Sequence, residues 1–88
     1  MNVFFEKKFL KEISSLPDKK LRHSIERIII SVENATTIGS IPNLKKLKGG
    51  KTAYRIRVGD YRIGIDFDGN RFVFVRFMHR RDIYNYFP

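Results

Sequence analysis

Three arginines stand close together near the middle of the chain, in a run that alternates charged and apolar residues. Arg55 and Arg57 alternate with apolar residues over 53–58, and Arg62 follows a Gly-Asp pair that is typical of a tight turn. Strand alternation puts Arg55 and Arg57 on one face, roughly 7 Å apart, and the turn can bring Arg62 to that same face. Like charges opposed on a sheet are destabilising, and an anionic ligand would offset that cost. Because guanidinium groups bind phosphate bidentately and stay protonated, the pattern indicates a site for one or two phosphodiesters.

The alternative is an exposed, solvated strand face with Asp60 and Asp66 as ion-pair partners of the arginines. Basic residues are common on strands, and the strand pattern alone favours this plainer interpretation.

The C-terminal run "MHRRDIYNYF" shifts the balance toward a functional site. It places His79, Arg80, Arg81, Tyr84, Tyr86 and Phe87 directly after the last predicted strand. A histidine can act as general acid or base near neutral pH, and an aromatic ring can stack on an unpaired base. Taken singly, these would more often be surface residues or tail residues packed on the core. Together with the arginines they form a set suited to single-stranded RNA.

The rest of the chain predicts the elements that position this set. "MNVFF" is typical of a first strand, and "EKKFLKEISSL" of a short helix that Pro17 ends. From a cap at Asp18, apolar residues recur at helical spacing through Val32, and His23 lies off that stripe on the solvated side. Residues 35–50 are predicted to be an irregular connector. Strands are predicted at residues 53–58, 61–67 and 71–78.

The predicted fold is therefore α+β, in the order β-α-α-β-β-β, as a single domain over residues 1–88. Two helices can cover only one face of a mainly antiparallel four-stranded sheet, so the face with the strand arginines is expected to stay partly open.

Composition narrows the class of protein. There is no cysteine, which excludes a disulfide framework and a thiolate zinc site, and no other metal or cofactor site is predicted. No segment resembles a secretory signal or a membrane span, so a cytoplasmic protein is expected. The net charge is +9, with seven basic and five acidic residues in 1–43 but eleven basic and four acidic residues in 44–88. A positive field concentrated in the strand-forming half favours a polyanionic partner, either nucleic acid or an acidic protein.

The runs "LKKLKGGKTAYRIRVGDYRIGID" and "VFVRFMHRRDIYNYF" resemble the RelE/ParE superfamily of bacterial toxin–antitoxin toxins, and most closely its RelE branch. The resemblance covers nearly the whole chain and implies a small endoribonuclease that cuts mRNA in the ribosomal A site. It also implies a cognate antitoxin, RelB-like or another small acidic protein, that neutralises the toxin.

The resemblance also implies site residues. Arg55 and Arg57 stand where many members carry catalytic Lys or Arg, Arg62 matches a phosphate-binding arginine, Arg80 the arginine after the last strand, and Tyr84 a C-terminal aromatic. Arginine cannot act as the base, which leaves His79 or Tyr84, and the sequence favours His79 because imidazole titrates nearer neutral pH. The residues expected to grip RNA and the ribosome are Lys45, Lys46, Lys48, Lys51, Arg81 and Tyr86.

Two other functions stay open at this point. The ParE branch shares the fold but poisons DNA gyrase, and a degenerate member would only bind its antitoxin. The phosphate-oriented arginines and the His-Arg pair favour the nuclease.

Overall fold

A five-stranded sheet with two helices against it forms the frame of the protein, in a computed structural model that describes residues 1–88. The strands and helices, in chain order, are β1 (Asn2–Phe5), α1 (Lys7–Ser14), α2 (Lys19–Asn34), β2 (Leu44–Lys46), β3 (Ala53–Val58), β4 (Tyr61–Phe67), β5 (Arg71–His79) and α3 (Ile83–Tyr86). A single 3-10 turn, Ile38–Ser40, lies between α2 and β2. No helix is long and apolar enough to cross a membrane.

The sheet order is β1-β5-β4-β3-β2, with β1 parallel to β5 and every other pair antiparallel. The α+β class and the three strands around the arginines are confirmed, but the predicted strand count of four was wrong. The extra strand is β2, which pairs with β3 inside the connector that was predicted to be irregular. Its three residues are too few to show an alternating pattern, and pairing along the free edge of β3 is what makes them a strand.

The two long helices pack on one face of the sheet. Asp18 caps α2 by accepting a hydrogen bond from the Leu21 N–H at 3.1 Å, as its position before the apolar stripe predicts. Eleven buried apolar residues form the core between helices and sheet, and they include Phe9 of α1, Ile25 and Val32 of α2, and inward-facing residues of β3, β4 and β5. This face carries most of the apolar burial, and hence most of the hydrophobic stabilisation.

A β-bulge in β5 decides which of its side chains faces the core. Gly64 pairs with Arg76 and the next residue, Ile65, pairs with Phe74, which leaves Val75 without a partner. Phe74 and Phe77, three residues apart, therefore both face the helices. The bulge explains why β5 is apolar on both faces and why Arg76 points away from the core.

The opposite face is partly covered by the C-terminal segment. Ile83 and Phe87 are buried there with Ala53, and Val75 and Met78 pack against them. A Cβ placed on Gly64 would lie 2.8 Å from the Phe87 ring, so only glycine admits that ring. The face expected to stay partly open is thus closed at its centre, and its exposed part lies toward the β3–β4 turn.

Candidate nucleic-acid interface

The sheet face opposite α1 and α2, called here the arginine face, collects the cations of three neighbouring strands. The register pairs Arg57 directly with Arg62 and Lys45 directly with Arg55. These side chains alternate with the buried residues of β3 and β4, so all four lie on the arginine face. The turn thus keeps the register that the phosphate hypothesis requires of Arg62.

Carbonyl groups of its own hairpin turn hold Arg62. Its Nη1 donates to the Gly59 carbonyl at 2.8 Å and to the Tyr61 carbonyl at 2.9 Å. Gly59 has a φ of 58°, in the left-handed region that favours glycine. The side chain is half-buried, and its guanidinium is fixed by two acceptors that carry no charge of their own.

A different backbone carbonyl holds Arg55. Its Nη1 donates to the Asn43 carbonyl at 2.7 Å, and the same oxygen accepts from the Arg57 backbone N–H at 3.2 Å. Asn43 has a φ of 64° and is the one residue other than glycine with positive φ. Asparagine is among the residues that tolerate this conformation.

Arg57 differs from its two neighbours. It is exposed, and its guanidinium forms neither a hydrogen bond nor an ion pair within the protein. Its Cα lies opposite that of Arg62, so the two charges repel with no carboxylate between them.

The acidic residues do not neutralise the strand arginines. Asp60 pairs instead with Arg80, whose Nε lies 3.6 Å from Oδ1 and whose N–H donates to the Asp60 carbonyl at 2.8 Å. Asp66 forms no ion pair. The alternative interpretation, in which Asp60 and Asp66 partner the strand arginines, therefore finds no support, and Arg80 stands beside the turn that holds Arg62.

His79 lies apart from this cluster. It is opposite Tyr61 in the register, and its ring meets the Tyr61 ring edge-on at 5.4 Å, on the side of the sheet that faces the helices. Its Nδ1 accepts the Arg81 N–H at 3.2 Å, so a neutral imidazole carries its proton on Nε2. In this state Nε2 can give a proton but cannot take one.

Tyr84 and Tyr86 project from α3, which packs on the arginine face through its neighbours. Ile83 and Phe87 are buried, whereas Tyr84 is 54% exposed and Tyr86 62% exposed. The tyrosines are thus the solvent side of a tail whose other side is core. Tyr84 belongs to the segment whose buried residues Ile83 and Phe87 pack on the arginine face.

Arg76 lies between α1 and the C-terminal segment. Its Nε and Nη2 donate to the Glu12 carboxylate, at 2.9 Å for the shortest contact, and that carboxylate also accepts the Phe77 N–H at 2.8 Å. The hydrogen bonds to Glu12 raise the pKa of Arg76 above its ordinary value. The Arg76 guanidinium also lies 5.4 Å from the centre of the Tyr86 ring. Arg76 therefore links α1 to the C-terminal segment.

The remaining predicted contacts are spread over the exposed rim. Lys45 and Lys46 belong to the edge strand β2, and the loop after it carries Lys48 and Lys51. Arg81 is exposed between β5 and α3. No group of three His, Asp or Glu side chains is placed to hold a metal ion. The arginine face offers fixed positive charge and a phenol, which suits binding and polarising a phosphodiester.

Sequence reasoning did not identify Asn43 or Gly64 as residues that build the site, and it placed Phe87 among the aromatic residues that could stack on a base, whereas the structure buries Phe87 against Gly64. Asn43 follows a proline at the end of an irregular stretch, and an asparagine there is a signal for a left-handed turn residue. Gly64 interrupts a strand pattern, and such a glycine often marks close approach of another segment.

Comparisons with known proteins show the family of this chain. The family model described as the ParE toxin of the type II toxin–antitoxin system, parDE, matches residues 3–84. The chain is 42% identical, over the full length of both proteins, to a protein of Methanocaldococcus jannaschii named Toxin RelE3.

Solved structures show the same fold. The RelB-RelE antitoxin-toxin complex of Methanococcus jannaschii contains a chain that is 40% identical, with a TM-score of 0.80, covering 97% of this chain and 99% of that one. The archaeal RelE-RelB complex of Pyrococcus horikoshii is 23% identical with a TM-score of 0.69, covering 90% and 93%, and shows likeness of fold alone.

Proposed function

Because this chain belongs to the RelE/ParE superfamily of type II toxin–antitoxin toxins, we propose that it is a RelE-type endoribonuclease that cuts mRNA in the ribosomal A site and so stops translation. The observation that carries the proposal is the arginine face. Three arginines of the adjacent strands β3 and β4 lie there without a neutralising carboxylate. A ribosomal target implies action in the cytoplasm.

RNA supplies its own nucleophile, the 2′-OH next to the scissile phosphate. Its oxygen bonds to phosphorus as its proton leaves, and the P–O5′ bond breaks as the 5′ oxygen gains a proton. A 2′,3′-cyclic phosphate and a 5′-hydroxyl result, with no redox change and no need for a metal ion. Arg55, Arg57 and Arg62 stabilise the extra negative charge on the pentavalent phosphorane, with Arg80 assisting. Holding the RNA in line for attack contributes about 7–11 kcal/mol to the lowering of such barriers.

Tyr84 is the favoured group for proton transfer. Its segment α3 packs on the arginine face and Tyr84 itself is 54% exposed, whereas His79 contacts Tyr61 on the other side and already accepts a hydrogen bond at Nδ1. His79 stays in the proposal as the alternative base. Tyr86 and Arg81 contact RNA at the edge of the site.

The partner proposed for neutralisation is a RelB-like antitoxin. The relatives of known structure include toxins bound to RelB. An acidic antitoxin segment would relieve the repulsion between Arg57 and Arg62 as RNA does. The lysines at 45, 46, 48 and 51 are proposed to grip ribosomal RNA.

A gyrase-directed toxin is the second candidate, because the matching family model is described as a ParE toxin. Its action would need no phosphate site. Induced cells separate the two functions: mRNA cleavage stops translation without early DNA damage, whereas gyrase poisoning gives DNA damage and filamentation.

The direct experiment maps 5′ ends on a translated mRNA after induction, with and without ribosome loading. Cuts within codons that appear only on loaded message support the proposal. Arg62→Ala should abolish the cuts and the growth arrest, while circular dichroism and the thermal midpoint stay near wild type, since Arg62 lies outside the core. Full toxicity from folded Arg62→Ala would refute the role of Arg62.

A further inference from the structure

The guanidinium groups of Arg55 and Arg62 are both tied by one nitrogen only. Arg62 uses Nη1 for two carbonyls and Arg55 uses Nη1 for one. The Nε and Nη2 atoms of both side chains make no hydrogen bond within the protein. Those two atoms lie on one edge of the planar group and form the fork that grips two oxygens at once.

Arg76 shows the same edge in use within the same molecule. Its Nη2 donates to Glu12 Oε2 at 2.9 Å, and its Nε donates to both Oε1 at 3.3 Å and Oε2 at 3.2 Å. A phosphodiester presents two oxygens in a comparable arrangement. The Nε–Nη2 edge that binds a carboxylate in Arg76 is therefore free to bind a ligand in Arg55 and Arg62.

We propose that the backbone carbonyls of Gly59 and Asn43 are positioning elements of the active site, which lock Arg62 and Arg55 by Nη1 and present the Nε–Nη2 edge of each as a fixed fork for the RNA phosphate. This inference rests on the proposed nuclease function. It assigns to two residues that touch no substrate the task of preorganising two that do.

Backbone conformation explains why these residues can do so. Gly59 and Asn43 have φ values of 58° and 64°, the left-handed region that most residues avoid. In the β3–β4 turn only the first central residue has positive φ, which matches a turn that favours glycine at that position. A residue with a side chain at position 59 would relieve its strain by changing the backbone angles. That change would rotate the peptide group whose carbonyl holds Arg62.

Arg57 provides the internal contrast. Its guanidinium is charged but is not held by a hydrogen bond, so binding a phosphate has the entropic cost of ordering an exposed side chain. Lysine keeps charge but cannot hold a carbonyl pair and grip two phosphate oxygens together. We therefore expect Arg62→Lys to lower the cleavage rate much more than Arg57→Lys does.

The main test compares Gly59→Ala with Gly69→Ala in single-turnover cleavage of ribosome-bound mRNA. Both glycines have positive φ, and a Cβ at either meets nothing within 4 Å, but no arginine is held by the Gly69 carbonyl. Gly59→Ala should lower the saturating rate by about 10²-fold with little change in apparent KM, as a misplaced catalytic group does. Gly69→Ala should stay near the wild-type rate. Asn43→Gly, which keeps the left-handed conformation, should be more active than Asn43→Ala.

A spectroscopic measurement keeps the inference testable if an alanine variant unfolds or if the protein does not cleave mRNA. In the NMR spectrum of the wild-type protein, a tethered guanidinium gives separate Nη proton signals because rotation about Cζ–Nη is slowed. Addition of inorganic phosphate should shift the Nε–H signals of Arg62 and Arg55 more than that of Arg57. Averaged Nη signals for Arg62 in wild type, or equal rates for Gly59→Ala and Gly69→Ala, would overturn the inference. Wild-type protein with tethered arginines but no cleavage would instead refute the proposed function.

Discussion

The two faces of the sheet are built from the same strands but by opposite rules. The helix face is apolar, with eleven buried residues in one continuous cluster. The arginine face has a small cluster of three buried residues and beside it a set of cations whose charges repel. Burial of apolar side chains stabilises the helix face, whereas the repulsion between like charges destabilises the arginine face.

The difference indicates where each kind of mutation acts. A change on the helix face alters the free energy of unfolding and reaches function only through the folded fraction. A change to a cation of the arginine face alters catalysis or binding and leaves the fold nearly intact. The main core and the charged residues are thus separated by the thickness of one strand.

The strongest test of this separation asks whether Tyr84 or His79 transfers the proton. If proton transfer occurs on the arginine face, Tyr84→Phe should lower the single-turnover rate by about 10²–10⁴-fold, the usual contribution of general acid–base catalysis. The wild-type rate should keep rising into the alkaline range, because phenols titrate there. His79→Gln should have a much smaller effect. A large loss in His79→Gln, with a rate that levels off near neutral pH, would place the base on the helix side and break the comparison.

The next largest effect is expected in the core. Phe74 is fully buried and its ring lies 5.2 Å from those of Phe5 and Phe9. Phe74→Ala should lower the free energy of unfolding by about 3–5 kcal/mol, measured by denaturant titration. Phe4→Ala is the matched control, since Phe4 is exposed on the same pair of strands and should cost far less. Equal losses would mean that burial is not what separates the two positions.

Most of the fold follows from the sequence because its signals are local. The alternation over 53–58 and 61–67, the Gly-Asp turn and the apolar stripe of α2 each specify an element without reference to the rest of the chain. The strand β2 could not be predicted, because it exists by virtue of pairing with β3.

The site shows the same limit. Charge and alternation predict Arg55, Arg57 and Arg62 on one face, and the register bears this out. The tethering of Arg62 by the carbonyls of its own turn, and of Arg55 by the Asn43 carbonyl, depends on backbone groups, which leave no mark on side-chain periodicity. The position of His79 depends on the bulge in β5, whose extra residue shifts which side chains face the helices.

A smaller effect is expected where the C-terminal segment meets the sheet. An alanine Cβ at position 64 would lie 2.8 Å from the Phe87 ring, an overpacking that typically costs about 1–3 kcal/mol. Gly64→Ala should therefore loosen α3 and reduce cleavage through Tyr84, while the helix-face core stays protected in hydrogen exchange. Gly39→Ala is the control, because its nearest neighbour would be Thr37 at an ordinary 3.9 Å. Full protection of α3 amides in Gly64→Ala would show that the tail is not held by this contact.

The smallest effect is expected from acid, at the exposed turn between β4 and β5. Backbone N–H groups of Arg71 and Asn70 donate to Asp68 Oδ1 at 2.8 Å and 2.9 Å, and they lower the pKa of the Asp68 carboxyl below its usual range. A lowered folded-state pKa means that the unfolded chain binds the proton more readily, so this stabilisation is present above the unfolded pKa of about 3.9 and is lost as pH falls through the folded value. Asp68→Asn keeps an oxygen acceptor but cannot titrate, so its stability should fall less steeply below pH ~4 than that of wild type. Thermal midpoints measured across the acid range would show the difference in slope. If the midpoints of the two proteins fall in parallel with pH, the charge of Asp68 does not contribute to the stability of the hairpin.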